Sequence, residues 1–415
     1  MACKDRYRKG LYVIPALRIV LWVGLLIVAD SCLAQAGARP DSGRQEAIAL
    51  EQQGKIEESE MAWRALLKSH PNNPEPYAHL GLLEARQDHY KQAIALYRKA
   101  LSLGPPLASV RMNLGLALFK NGQLKDSINV FEPLLKSEPA GSPAAQRLTI
   151  LIGMAFYGSA QYAKAAPYLQ EAADRDPNSL PLLLALAHSY LWSDQFKYVL
   201  DVYHKILVIN PNSAEADMLA GEALDQMKDN AGATQMFRDA ARANPKEPDV
   251  HFGLGYLLWA QKQYPEAIKE FQAELANDPN HAQSMLYLAD SEIQLNEAAA
   301  AQPLLEKVKT LNPSLPLSYL DLGIVYSELG RNQDALRELE KARQLMPNDV
   351  DVHWRLARLY RTLGRKDEAK AEFAMASRLN READEALYKK IANGNHAPAA
   401  QTPSPSQSSP ANPER

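Results

Sequence analysis

The chain has 415 residues, of which 46% are hydrophobic, 23% charged and 7% aromatic, a balance that excludes wholesale disorder and supplies enough apolar side chains for a core. That length exceeds what one compact core fills, so several domains or a repeating array is expected. Formal charge is −3, and without residues 1–36, which hold Lys4, Arg6, Arg8, Lys9, Arg18, Asp5 and Asp30, 41 basic side chains face 47 acidic ones; a mildly acidic chain lacks the footprint that grips phosphate backbones, which argues against a nucleic-acid partner.

The chain opens on a basic stretch from Lys4 to Arg18, followed by an 11-residue apolar run from Ile19 to Ala29 and by Ala34-Gln35-Ala36, a small-x-small cleavage pattern. Residues 1–36 therefore read as a secretory signal peptide or a membrane anchor, with cleavage favoured. The run is short for a bilayer, and extending it back to Leu11 would carry Pro15 and Arg18 into lipid. A third reading makes Cys32 a lipidated residue, because Ala29-Asp30-Ser31-Cys32 loosely resembles a bacterial lipoprotein signal. Each reading places the mature protein outside the cytoplasm, in the periplasm or associated with the cell envelope. Cys3 and Cys32 are the only cysteines, so no disulfide frame, thiolate metal site or cysteine nucleophile is available further along.

From residue 37 to 381 the sequence is periodic. Prolines recur at Pro71, Pro105, Pro139, Pro177, Pro211, Pro245, Pro279, Pro313 and Pro347, at 34-residue intervals except for one of 38. A helix-breaking residue at a fixed period punctuates a repeated helical unit, and Asp176, Asn210, Asn244, Asp278 and Asn312, each just before its proline, favour a turn there. A small residue stands 24 positions before each proline, as Gly81, Gly115, Gly153, Gly221, Gly255 and Gly323 show, and a second stands 12 before, as with Ser59, Ala93, Ser127 and Ala165, with Val199 the one exception. Side chains that small, inside apolar helical patterns, predict a close approach of two helices. Four residues after the second small position comes a large apolar group (Trp63, Tyr97, Phe131, Leu169, Tyr203, Phe237, Phe271), predicted to fill the gap to the next unit. Gly54, Gly122, Gly330 and Gly364 lie between the two helical stretches, where a left-handed residue ends the first helix.

Two places depart from the period. Four extra residues near 140–145, through Gly141, Ser142 and Pro143, predict an interruption of the stack, as a hinge or a change of pitch. After Arg381, which replaces the tenth proline, residues 382–392 predict a capping helix with Leu387 and Ile391 on its apolar stripe. Residues 393–415, rich in Pro, Ser, Ala, Gln and Asn, predict a disordered tail.

The pattern resembles the tetratricopeptide repeat, exported bacterial type. Its W-x2-L-G-x2-Y, A-x3-F and P signature is matched by Tyr319, Leu322, Gly323, Tyr326, Ala335, Leu339 and Pro347. The resemblance implies an all-α, right-handed α-solenoid of about ten helix-turn-helix repeats, whose first helices line a concave groove that binds protein or peptide. On those helices the partner-binding candidates are Met112, Leu116, Phe119, Ile150, Met154, Tyr157, Leu184, His188, Trp192, Phe252, Tyr256 and Trp259, with Leu191 beside them. Packing of the same groups between repeats is the competing reading. Glu215, Glu222 and Asp225 in the sixth unit, like Asp351, Arg358 and Arg361 in the tenth, read as solvated faces. The family's carboxylate clamp has only Asn113 and Arg147 here, since Ala78, Leu82 and Leu151 occupy its other polar positions.

Catalytic chemistry finds no constellation in the sequence. The nine histidines are scattered without ligand spacing, His251 and His353 sit in the repeat's aromatic slot, and neither a phosphate-cradling glycine loop nor a GxSxG elbow stands apart from the repeat pattern. The expectation is a non-enzymatic interaction scaffold with no cofactor, metal or small-molecule substrate. Its partner is a polypeptide held in the groove; the alternative is a membrane-tethered assembly factor that organises an envelope complex through its convex surface.

Overall fold

The computed structural model describes residues 42–104 and 107–394. The segment read as a signal or anchor, Cys32, Pro105 and all but the first two residues of the predicted tail lie outside the described residues. Described residues form twenty α-helices, with no strand among them. The chain divides into two compact units, Met1–Ala260 and Gln261–Arg415.

In the first unit the hairpins are α1 (Ser42–Gln52) with α2 (Ile56–Ser69), α3 (Pro74–Arg86) with α4 (Tyr90–Leu103), and α5 (Ala108–Lys120) with α6 (Leu124–Ser137). Next come α7 (Pro143–Gly158) with α8 (Tyr162–Arg175), α9 (Leu180–Leu191) with α10 (Phe196–Ile209), and α11 (Ala214–Gln226) with α12 (Asn230–Ala243); α13 (Val250–Ala260) closes the unit. The second unit holds α14 (Tyr264–Asn277), α15 (Ala282–Gln294), α16 (Ala298–Leu311), α17 (Pro316–Glu328), α18 (Asn332–Leu345), α19 (Val350–Thr362) and α20 (Lys366–Gly394). Within each unit every helix packs on the one before it and the one after it, so the all-α solenoid is a stack of hairpins.

Helix starts follow local chemistry. Asn73, Ser142, Ser213, Asp229 and Asp349 each accept a hydrogen bond from a first-turn backbone N–H, which satisfies a donor the helix itself cannot. Each first helix ends at a left-handed residue. Gly54, Gly122, Gly330 and Gly364 have φ between +73° and +77°, as their positions predict. The equivalent residue in other repeats is Asp88, Ala160, Asp194, Lys228, Lys262 or Asn296, all at positive φ. Geometry of the turn thus overrides side-chain preference, at a conformational cost that glycine would not carry.

The small positions do what their size predicts. A Cβ on Gly81 would stand 2.8 Å from the Tyr97 ring, one on Gly221 2.7 Å from Phe237, and one on Gly115 would run into Phe131. Each large group therefore lies over the small residue of its own hairpin. Phe237 also presses on Gly253 of the following repeat, so the predicted role of bridging to the next unit is kept alongside the one within the hairpin.

Hairpins are tied by a second, polar device. Tyr190 donates to Gln170 at 3.0 Å, Tyr326 to Glu306 at 2.9 Å and Tyr360 to Glu340 at 2.9 Å, each pair twenty residues apart and joining consecutive hairpins. Tyr77, Tyr319 and His353 occupy one repeat slot and each bonds the carbonyl of the turn proline six residues earlier, at 3.3, 2.8 and 2.8 Å. His353 is buried and also pairs with Glu372, which gives it a structural role.

Two expectations are corrected. The insertion after Pro139 does not interrupt the stack: Gly141 and Ser142 absorb it in the turn, α7 runs for 16 residues, and one apolar core joins Ile128, Phe131 and Leu134 to Leu148, Leu151 and Ile152. Nor does a separate capping helix begin at 382. With Arg381 in place of proline nothing breaks the chain, and α20 continues for 29 residues into Gly394.

Substituting Gly115 by Val is predicted to lower unfolding stability by about 1–3 kcal/mol, because the buried Phe131 ring has no room to retreat. Ala160→Gly, which only relieves positive φ, is predicted to raise it by about 0.5–1 kcal/mol. Urea denaturation of both variants checks the pair; equal midpoints would show that neither position constrains the fold.

Candidate partner-binding site

First helices of the repeats are packed on both sides, and this decides which candidate residues have surface to offer. Phe119, Met154, Tyr157, Leu184, His188, Phe252 and Tyr256 are buried. Met112, Leu116, Ile150 and Trp259 are half-buried, and Trp192 is 41% exposed. The predicted apolar groove is therefore mostly core, with a narrow accessible strip.

Met112 and Leu116 lie on α5 and Ile150 on α7, while Trp192 and Trp259 stand at the ends of α9 and α13. Trp192 caps α9 and stacks on Tyr162 at 6.1 Å between ring centroids; Tyr162 in turn meets Tyr157 edge-on at 5.8 Å. Tyr157 faces His188, whose Nε2 lies 3.1 Å from Glu215. Tyr256 and Trp259 stack at 5.9 Å on α13. Aromatic rings fixed by one another in this way present rigid contact area with little rotamer freedom left to lose.

Between these groups lies a cavity of 240 Å³ lined by Leu191, Trp192, Asp194, Phe196, Glu222, Asp225, Gln226, Phe237, Tyr256 and Leu257. Glu222, read from sequence as a solvated carboxylate, is instead only 7% exposed, and its Oε1 has no hydrogen-bond partner. The reason is its register. Glu222 occupies the slot that holds Met154, His188 and Tyr256 in neighbouring repeats, and that slot faces the packed interior. Burial, with Asp249 and Asp225 close by, pushes its carboxyl up to about 8. Asp351, Arg358 and Arg361, by contrast, are exposed as predicted.

Other acids in the unit show what compensation looks like. Asp217 accepts from the Tyr203 hydroxyl at 2.9 Å, and Glu51 accepts from His79 at 2.8 Å while His79 stacks on Trp63. A second cavity, of 290 Å³, is lined in part by Arg86, Asp88, Asn113, Leu116, Phe119 and Lys120. It brings Asn113 beside cations, but Arg147 is not among its lining residues, so the two clamp-like residues of the sequence are not united there. Among the described residues no group of three or more His, Cys, Asp or Glu side chains could hold a metal ion, and no helix is long and apolar enough to cross a membrane.

Stacked helix-turn-helix hairpins define a helical-repeat protein. Family models described as tetratricopeptide repeat match residues 44–108, 112–179, 218–282 and 252–316, and a second such model matches 156–223 and 326–393. The chain belongs to the tetratricopeptide repeat family, whose members mediate protein–protein interaction and scaffolding. It is similar to the Arabidopsis thaliana protein CTR9 homolog (24% identity over 74% of this chain and 26% of that one) and to cellulose synthase operon protein C of Pseudomonas fluorescens (22%, over 70% and 24%). The chain thus spans about a quarter of the length of either relative. Among solved structures, MamA from Desulfovibrio magneticus is 20% identical with a TM-score of 0.39, covering 41% of this chain and 97% of that one. YrrB, described as a TPR protein with an unusual peptide-binding site, is 17% identical with a TM-score of 0.39, covering 46% and 97%.

A carboxyl that ionises near pH 4 to 5 in an unfolded chain and at about 8 in the fold holds its proton more tightly when folded. Stability is therefore lost as pH rises between those values, and the penalty is complete above about 8. Glu222→Gln is predicted to be more stable than the parent by at least about 1 kcal/mol near pH 9, with the difference closing toward pH 5, as read by urea denaturation. A gap independent of pH would place the carboxylate in solvent.

Proposed function

We propose that this chain is a non-enzymatic scaffold that holds a polypeptide partner along the first-helix strip of repeats five to seven. The observation that carries the reading is Trp192, a large indole left 41% exposed yet held by Tyr162 at the rim of a cavity whose far wall includes Tyr256. Exposed aromatic groups on a rigid support are the usual anchors of a protein interface. The partner is a protein or peptide, in keeping with the family, and the acidic balance of the chain argues against nucleic acid.

The second reading, assembly through the opposite face, draws on α10, where Val208 is 85% and Tyr198 54% exposed. Placement in the periplasm or envelope belongs to the same proposal and is supported by the basic Lys4 to Arg18 stretch, the apolar Ile19 to Ala29 run and Ala34-Gln35-Ala36. Fractionation with N-terminal sequencing of the mature chain distinguishes cleavage, an anchor and a lipid on Cys32; a cytosolic chain with its first residues intact would remove all three.

Pull-down from envelope extract with the purified array tests the two faces. Trp192→Ala with Trp259→Ala is predicted to lower partner recovery by about tenfold or more while helicity and thermal midpoint stay near the parent's. Tyr198→Ser with Val208→Ser is predicted to leave recovery unchanged. The reverse result would move the site to the second-helix face.

A further inference from the structure

The acidic cavity between the ends of α9, α11 and α13 has a chemistry more specific than an apolar groove. Its 240 Å³ far exceed the ~10–15 Å³ that admit a single water, so it has room for a side-chain head group. Its walls include the faces or edges of Trp192, Phe196, Phe237 and Tyr256, and its polar lining carries Asp194, Glu222 and Asp225. No lysine, arginine or histidine stands among the lining residues. Glu222 is more than nine-tenths buried and its Oε1 is unpartnered, although Gln170, Tyr203 and His188 elsewhere in the unit give or receive hydrogen bonds across the hairpins.

We propose that this cavity is a specificity pocket for an arginine side chain of the bound polypeptide. The inference rests on the partner-binding reading above and names the residue type that the strip selects. A guanidinium is the cation these walls suit best. It is weakly hydrated, stacks on aromatic faces, and presents a planar fork of donors to a carboxylate, whereas an ammonium is a strongly hydrated point charge that loses more on entering. A metal ion is the poorer fit, since no three ligating side chains converge there among the described residues.

Occupancy and protonation are linked. With the pocket empty, burial, together with the charges of Asp249 just before α13 and Asp225 on its own helix, keeps the Glu222 proton on to about pH 8, while Asp194 and Tyr256 line the same cavity. A guanidinium beside it favours the carboxylate, and binding then releases that proton. Affinity should rise about tenfold per pH unit up to about 8 and level off above, while arginine itself stays charged throughout.

The test uses the full chain and three capped tripeptides with arginine, lysine or the neutral isostere citrulline at the centre, titrated by calorimetry between about pH 6 and about pH 9. Arginine should bind at least about tenfold more tightly than citrulline and more tightly than lysine, its affinity should follow the rising pH profile, and Glu222→Gln should abolish both the preference and the profile. Equal binding of arginine and citrulline, lysine matching arginine, or a flat profile in the parent protein would each overturn the assignment, and the profile needs no variant to fold. If the tripeptide fails while partner recovery still depends on Trp192 and Trp259, the pocket assignment falls and the partner-binding strip stands.

Discussion

Everything in this fold depends on one steric arrangement, a large side chain of the second helix lying over a small residue of the first. Gly81 beneath Tyr97, Gly115 beneath Phe131, Gly221 beneath Phe237 and Gly323 beneath Leu339 let two helices approach so closely that even a methyl group would collide. Phe237 also reaches Gly253, so the same ring that closes one hairpin seats the next. Stacking is thereby local. Each hairpin is stabilised by itself and its neighbours, which is why a period in the sequence translates directly into a stack in space and why the insertion after Pro139 shifts the register without opening the core.

That locality explains how much of the fold was legible. Proline spacing and residue size announce helices, turns and packing positions, because each reports a constraint met within one repeat. What the sequence conceals is a constraint satisfied by geometry alone. Gly54, Gly122, Gly330 and Gly364 mark the left-handed turn openly, whereas Ala160, Lys228 and Lys262 adopt the same conformation with side chains that do not advertise it. Pro133, Pro167 and Pro303 mislead in the opposite sense: they lie inside second helices, where the surrounding packing outweighs their tendency to break them.

The site was less legible, for a related reason. A first helix in a stack is apolar on two faces, one toward its own partner helix and one toward the adjacent hairpins, and an exposed apolar strip adds nothing that the pattern can separate. Met154, Tyr157, Phe252 and Trp192 look alike in sequence, yet three are core and one is surface. Their surroundings set the difference: Trp192 sits just past the end of α9, Met154 and Phe252 lie within their helices, and Tyr157, next to last in α7, is covered by the Tyr162 and His188 rings. Reading burial from a repeat thus requires the neighbours that cover each residue as well as its helix face.

Glu222 carries this reasoning one step further. A carboxylate in a slot otherwise filled by Met154, His188 and Tyr256 gains nothing for packing, and burial without a partner makes ionised Glu222 a net cost to the fold. The compensated acids of the same unit, Asp217 under the Tyr203 hydroxyl and Glu215 beside His188, show that this architecture can supply partners within a repeat or across one. Asp321 and Glu292 in the second unit also leave an oxygen unpartnered, but Arg355 moderates the charge at Asp321 and neither residue lines either cavity described above. Glu222 alone among the three combines an unsatisfied oxygen, neighbouring acids that add to its strain, and open volume walled by aromatic rings. An electrostatic debt held next to empty space is what a cationic ligand can discharge, and a stack of self-sufficient hairpins can carry one such debt without losing the stability of its neighbours.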